Sequence, residues 1–173
     1  MSTVSRPGGV EAFLKEVPFF SGLSGPDLRQ LAALMQERSF AAGEELFGEG
    51  QEGREAYVIA AGEIEILKSS AGRQVLLAVR GRGELIGELA LLEDAPRMAT
   101  ARAATRATVL AIGKNELNGL LASSPTASRA MLHTVISRLQ TTEAMLRESE
   151  RMAQIGVLSA GMAHELNLSL IHI

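Results

Sequence analysis

GELALLEDAPRMAT, residues Gly87 to Thr100, sets a glutamate directly after a glycine and an arginine directly after a proline within an otherwise apolar segment. A buried charge is costly unless it is paired or bound. Glu88 and Arg97 therefore serve one of two purposes. Either they form an internal ion pair that closes a loop, or they face a ligand.

The residue types in this stretch suit a phosphorylated sugar. Gly87 permits close approach of the backbone, and the letters ELALL fit one helical turn whose first N–H groups would face an anion. Arg97 carries a planar fork that matches phosphate oxygens, and Glu88 can accept hydrogen bonds from sugar hydroxyls. A nucleotide cradle and an internal ion pair both stay open on these residues alone, because structural ion pairs are common.

The residues before and around this stretch change from a helical to a strand-like pattern near residue 37. Residues 10–36 are predicted to be helical, with Ser24 and Asp27 in capping-box spacing. The second of these helices is expected to bury an apolar face, made of Leu28, Leu31, Leu34 and Met35.

Residues 37–113 contain short apolar or alternating runs punctuated by glycine, such as Glu63–Ile66. Many short strands of this kind predict an antiparallel sandwich or barrel. The opening stretch is then an insertion in a β domain.

Helical patterning returns over residues 114–167. Leu132, Leu139 and Leu146 repeat every seven residues, a spacing that indicates a seam against a partner helix. The alternative is that this face packs on the chain's own sheet. Heptad repetition favours the partner helix beyond residue 139, so we expect a homodimer through the long helix.

Composition excludes several classes of function. The chain has 173 residues, 46% of them hydrophobic, a formal net charge of −3, no Cys and no Trp. This composition argues against thiolate metal sites, and the three His residues lack metal-ligand spacing, so no metal is expected. The acidic balance argues against nucleic acid and membrane partners. No signal peptide or spanning segment is visible, which makes a cytoplasmic protein the expectation.

The opening stretch resembles the phosphate-binding cassette of cyclic nucleotide-binding domains. That family's pattern is Gly-Glu-Leu-Ala, a short spacer, Pro-Arg, a small residue, Ala and Thr, and the matching positions are Gly87, Glu88, Leu89, Ala90, Pro96, Arg97, Ala99 and Thr100. The resemblance covers roughly residues 12–142. It implies a mainly β fold, a barrel or jelly roll with flanking helices at both ends. The heptad spacing adds a long C-terminal coiled-coil helix.

The resemblance also implies a role for each matched residue. Arg97 would bind the cyclic phosphate and Glu88 the ribose 2′-OH, while main-chain groups near Gly87, Leu89 and Met98 would complete a cradle that also includes Ala90 and Ala99. Met98 departs from the usual Ala, Ser or Thr, and the missing hydroxyl favours cAMP as the ligand. The run RLQTTE resembles the catabolite-activator branch, in which a threonine meets the adenine. Thr142 falls at that position, or is an ordinary polar residue of the helix.

A second resemblance lies further along the chain. GVLSAGMAHELN resembles the phosphoacceptor box of sensor histidine kinases, with matches at Ala163, His164, Glu165, Leu166 and Asn167. His164 would accept the phosphoryl group and Glu165 would orient or deprotonate it. The pattern fails after Asn167, and the chain contains no ATP-binding half. The resemblance therefore implies a truncated kinase, for which ATP acts only through a missing domain and a response regulator is the partner.

These observations predict four segments. They are an N-terminal tail over 1–11, a cyclic nucleotide-binding domain over 12–142, a coiled-coil connector over 143–154, and a truncated dimerisation and phosphoacceptor segment over 155–173. The predicted function is a cyclic nucleotide sensor that controls histidine phosphorylation. The alternatives are a non-enzymatic cyclic nucleotide-binding regulator and a degenerate domain that serves only as a dimerisation scaffold.

Overall fold

The computed structural model describes residues 8–171, with side chains described up to Met162 and at His164. The helices are α1 Gly9–Glu16, α2 Gly25–Leu34, α3 Glu88–Glu93, α4 Lys114–Ser123 and α5 Pro125–Ile171. A 3-10 turn, Pro18–Phe20, lies between α1 and α2. The strands are β1 Gln36–Phe40, β2 Glu45–Phe47, β3 Glu55–Ala61, β4 Ile64–Ser70, β5 Arg73–Arg80, β6 Leu85–Ile86, β7 Thr100–Ala103 and β8 Ala107–Gly113. The predicted order of helices, strands and helices is therefore correct.

Two helix starts are fixed by serine caps. The Asp27 amide donates to Ser24 Oγ over 3.2 Å at the start of α2, and the Ala127 amide donates to Ser124 Oγ over 3.2 Å at the start of α5. Each hydroxyl satisfies one of the amides that a helix leaves unpaired in its first turn. Pro125 is the first residue of α5, where a missing N–H costs nothing.

The eight strands form two four-stranded sheets, β1-β8-β3-β6 and β2-β7-β4-β5. Every strand pair within them is antiparallel. The mainly β fold with flanking helices and a long C-terminal helix is confirmed. The strand pairing gives two separate sheets, not a closed barrel.

Strand β3 is buried on both faces and divides the hydrophobic core in two. Ala56, Val58 and Ala60 point towards the helices, where they meet the cluster that includes Phe20. Tyr57 and Ile59 alternate with them and point towards the second sheet, in a cluster with Ile64, Ile86, Ala101, Ala103, Ala107, Val109 and Ala111. The two-residue period of a strand sends successive side chains to opposite faces. One strand therefore holds the helical layer and the second sheet together.

The helical layer departs from expectation at one position. Leu28 and Leu31 of α2 are buried in the core, as its apolar spacing indicates. Leu34 is expected on the same face, but it is 53% exposed. It is the last residue of α2, and the chain then leaves the helix for β1. Leu34 thus lies at the end of the helix and remains largely exposed there.

The long helix α5 spans both of the compact units into which the chain divides. The first unit ends at Ser137 and the second begins at Arg138. Leu132 and Leu139 are 61% and 47% exposed. The coiled coil and the predicted segment boundaries stay predictions. Within residues 8–171, no helix is long and apolar enough to span a membrane.

Truncating Phe20 tests the packing of the helical layer. Its ring is fully buried and lies edge-on to Phe19, with a centroid distance of 5.0 Å. Phe20→Ala should lower the free energy of unfolding by about 3–5 kcal/mol, because it leaves a cavity in the core. Leu34→Ala is the control and should cost roughly 0.5 kcal/mol or less. Urea unfolding measures both, and equal losses would contradict this core.

Candidate functional site

The stretch Gly87–Thr100 connects the two sheets. It leaves β6 at the edge of the first sheet, forms the short helix α3, and enters β7 in the second sheet. Gly87 lies before α3 with φ of 76°, and Asp94 ends the helix with φ of 50°. Two left-handed residues therefore set the direction in which the chain enters and leaves α3.

Arg97 is the centre of the site. It is only 5% exposed, although an arginine side chain is normally exposed. Nη1 donates to the Gly87 carbonyl over 2.8 Å, and Nη2 donates to the Glu55 carbonyl over 2.7 Å. The guanidinium carbon lies 4.0 Å from the centre of the Phe47 ring, which is stacked on Tyr57. The cation is thus held by two carbonyls and an aromatic face.

One donor of this guanidinium is not used. Arg97 Nε is buried and has no hydrogen-bond partner among the described residues. Burial lowers the pKa of Arg97, and Tyr57, Glu55 and Glu88 oppose this shift through their charges. An unsatisfied buried donor costs about 1–3 kcal/mol. An anion that accepted from Nε would remove this cost, so the site fits a phosphate.

Two glycines make room for the guanidinium. A Cβ on Gly87 would lie 2.6 Å from Arg97 Nη1, and a Cβ on Gly53 would lie 3.2 Å from Arg97 Cζ and 2.5 Å from the Cβ of Ala90. Gly87 also needs its positive φ, which other residues rarely adopt. The glycine at the head of the stretch is therefore required by the position of Arg97.

Glu88 is the first residue of α3 and is fully buried. Its negative charge opposes the lowering of the Arg97 pKa by burial, because the two charges attract one another inside the protein. Ala90 is buried in the same helix. The structure brings Glu88, Ala90 and Arg97 to one place, as the sequence indicates. This attraction is common to both interpretations of the two charges, an internal ion pair and a ligand site.

Met98 follows Arg97 and differs from it in exposure. Its side chain is 44% exposed, while its carbonyl accepts a hydrogen bond from Lys68 Nζ over 2.6 Å. Ala99 is half-buried, and the Thr100 hydroxyl accepts from the Glu49 amide over 3.0 Å. The main chain beyond Arg97 is therefore held by residues from other strands and loops.

Sequence reasoning missed the residues that support Arg97. Phe47 and Tyr57 come from different strands, and the Glu55 carbonyl comes from the start of β3. The Glu55 carboxylate in turn receives Arg38 through two hydrogen bonds of 2.6 and 2.7 Å. Only strand pairing brings these residues together, and no local motif marks them.

The remaining predicted residues lie on α5. Thr142 is half-buried on the helix, in the second compact unit. His164 is exposed, and the Glu165 side chain lies outside the described ones. The adenine role of Thr142 and the phosphoryl roles of His164 and Glu165 stay predictions.

A cavity of about 290 Å³ lies elsewhere, between α2 and α4. Its lining includes Leu31, Leu34 and Leu120, with Asp27 and Glu116 among the polar residues. None of the residues that line it belongs to the stretch around Arg97. In the part of the chain that the structure describes, no group of three or more His, Asp or Glu side chains could hold a metal ion.

The fold and the site identify the family. Residues 37–124, just over half of the chain, match the model of the cyclic nucleotide-binding domain. The chain therefore belongs to the cyclic nucleotide-binding domain family. The match includes the whole of the stretch Gly87–Thr100 and ends directly after α4.

Three similar proteins illustrate the range of the family. The cAMP-dependent protein kinase regulatory subunit of Pyricularia oryzae is 36% identical over 120 residues, which is 69% of this chain and 30% of that protein. The regulatory domain of Toxoplasma gondii PKA, crystallised with cAMP, is 32% identical with a TM-score of 0.60 over 64% of this chain and 42% of that chain. The N-terminal domain of a transcriptional regulator from Streptomyces coelicolor is 38% identical with a TM-score of 0.59 over 75% of this chain and 94% of that chain.

The curated relatives are much longer than the region they share with this chain. The chain spans between a fifth and a third of the length of the first of them. The similarity thus concerns one domain within larger proteins.

Proposed function

We propose that this chain is the cAMP-binding sensor of a sensor histidine kinase. Ligand binding at Arg97 would control phosphorylation of His164. One observation carries the ligand half of the proposal: a buried arginine holds an unused donor beside a fully buried glutamate, at the start of a short helix. In a sugar phosphate, the phosphate would accept from Arg97 and a free sugar hydroxyl would donate to Glu88.

The chemistry of a cyclic nucleotide fits each group. A phosphate oxygen would accept from Arg97 Nε and one Nη, a bidentate arrangement that arginine makes and lysine does not. The Glu88 carboxylate would accept from the ribose 2′-OH. The first amides of α3, including that of Leu89, would face the same anion. Met98 supplies no hydroxyl for a guanine, which favours cAMP over cGMP.

The proposed mechanism is a shift between two conformations. A ligand that binds one arrangement of Arg97 and α3 more tightly than the other moves the equilibrium towards it. Helix α5 leads from the domain through Thr142 to His164, so a change at its beginning would reach the phosphoacceptor. A neutral imidazole on an exposed helix is a competent nucleophile near neutral pH.

A second candidate is a non-enzymatic cyclic nucleotide-binding regulator. The similarity to regulatory subunits of cAMP-dependent protein kinase favours it, because those proteins are regulatory by name. In this candidate His164 is an ordinary exposed helix residue. The two candidates share the ligand site and differ only in what α5 controls.

Removing the guanidinium tests the ligand site. Arg97→Ala should weaken cAMP binding by about 1.5–3 kcal/mol, the scale of a charge-assisted hydrogen bond, which is roughly a 10- to 150-fold change in Kd. Titration calorimetry measures it. Arg102→Ala is the matched control, because Arg102 lies on β7 in an ion pair with Glu65 and should leave Kd unchanged. Equal affinities for wild type and Arg97→Ala, or no binding by wild type, would refute this role.

Charged residues on α5 test the proposed dimer. Leu139 is 47% exposed, and Leu146 lies one heptad further along the helix. Leu139→Glu with Leu146→Glu should convert a dimer into monomers, because a seam cannot bury charges. Sedimentation velocity at micromolar concentration checks this. A monomeric wild-type chain would contradict the dimer.

Phosphoryl labelling tests His164. This chain with ATP alone should stay unlabelled, while the full-length product of its gene should acquire an acid-labile, base-stable phosphate. His164→Gln should abolish the label and leave cAMP binding intact. Glu165→Ala should slow labelling by about 10²–10⁴-fold if it assists proton transfer. A gene without an ATP-binding kinase domain would favour the non-enzymatic regulator, and a label that survives His164→Gln would disprove the acceptor.

A further inference from the structure

The main chain on both sides of Arg97 is held by the loop between β2 and β3. The Gly50 amide donates to the Arg97 carbonyl over 2.8 Å, and the Arg97 amide donates to the Gln51 carbonyl over 2.7 Å. One residue earlier in the loop, the Glu49 amide donates to the Thr100 hydroxyl. The backbone from Arg97 to Thr100 therefore lies against residues 49–51.

Lys68 holds the next main-chain carbonyl after that of Arg97. Its ammonium group donates to the Met98 carbonyl and to Glu49 Oε1, each over 2.6 Å. Glu49 Oε2 accepts from the Ser69 amide over 2.8 Å. The hydrogen bonds from Lys68 and Ser69 lower the pKa of Glu49, because they stabilise its charged form. Charged donors and acceptors make shorter and stronger hydrogen bonds than neutral ones.

These contacts determine two peptide planes. All described peptide bonds are trans, and in a trans peptide the carbonyl and the amide point in opposite directions. Gly50 holds the Arg97 carbonyl, which turns the Met98 amide away from Gly50. Lys68 holds the Met98 carbonyl, which in the same way sets the direction of the Ala99 amide. The main chain that carries the Arg97 guanidinium thus has little freedom to rotate.

We propose that Lys68 and Glu49 are positioning residues for ligand binding, which act through the Met98 carbonyl on the placement of Arg97. The inference rests on the proposed cyclic nucleotide site. A guanidinium binds phosphate in a bidentate way only when its plane is correctly oriented, and that orientation depends on a backbone fixed relative to α3. Without Lys68, binding would have to order the backbone at Met98, and this entropy cost would weaken the affinity.

The chain contains a matched control for this idea. The pair Lys68–Glu49 has side-chain exposures of 29% and 26%, and the pair Arg102–Glu65 has exposures of 36% and 28%. Lys68 and Glu65 lie on the same strand, β4. The Arg102–Glu65 pair links β7 to β4 and does not contact Met98 in the described structure. If Lys68 had only a structural role, breaking either ion pair would change cAMP affinity by a similar amount.

The experiment compares cAMP affinity and thermal unfolding in three variants of the full chain. Lys68→Met removes the donor and keeps the length of the side chain, Lys68→Arg keeps a donor, and Arg102→Met breaks the control pair. Titration calorimetry with cAMP should show a Kd raised about 3- to 10-fold for Lys68→Met, the loss expected for one hydrogen bond. The other two variants should stay within about twofold of wild type. Differential scanning calorimetry should give similar losses in Tm for Lys68→Met and Arg102→Met.

The outcomes separate the inference from the function it rests on. If wild type does not bind cAMP, the proposed ligand fails, and the positioning role fails with it. If wild type binds and Lys68→Met binds equally well, only the positioning role is wrong. Equal losses of affinity in Lys68→Met and Arg102→Met also contradict the positioning role, because both losses would then follow from reduced stability of the domain. Should Lys68→Met not fold, Lys68→Gln, which is too short to reach the same carbonyl, is measured in its place with the same criteria.

Discussion

The burial of one cation organises this domain. The Arg97 guanidinium lies inside the protein, where a charge is stable only with compensation. Two main-chain carbonyls, the face of Phe47 and the negative charge of Glu88 supply that compensation. The glycines beside it are required because a side chain would occupy the same space. Both the short helix α3 and the crossing between the sheets are arranged around this group.

Compensation of Arg97 is incomplete in one respect. Its Nε donor is buried and has no hydrogen-bond partner among the described residues. The unused Nε leaves a preference for an anion in a site that already has its shape. Preorganised donors of this kind bind tightly because little ordering is left to occur on binding. If the proposed ligand binds here, it recovers part of the cost of burying Arg97.

The charged groups of the site and the groups that hold them lie in different parts of the chain. The charged groups that would contact a ligand lie within ten residues of one another, from Glu88 to Arg97. The groups that hold them come from β1, β2, β3, β4 and the loop after β2. A short motif therefore carries the charged groups, while strands distant in the sequence hold them in place. The similarity of this domain to parts of larger proteins fits that arrangement, because the groups described around Arg97 all lie within the domain.

The sequence by itself determined the order of helices and strands, the capped start of α2, the family and the positions of Glu88 and Arg97 in its motif. It could do so because caps, alternation and the cassette motif act over a few residues. Only the tertiary structure decided which groups hold Arg97 and the main chain beside it, because Phe47 and the Glu55 carbonyl contact Arg97, and Lys68 contacts the Met98 carbonyl, across long sequence separations. The exposure of Leu34, at the end of α2, was likewise not indicated by the spacing of its apolar residues. Local patterns specify local geometry, whereas the surroundings of a buried charge depend on how distant strands are paired.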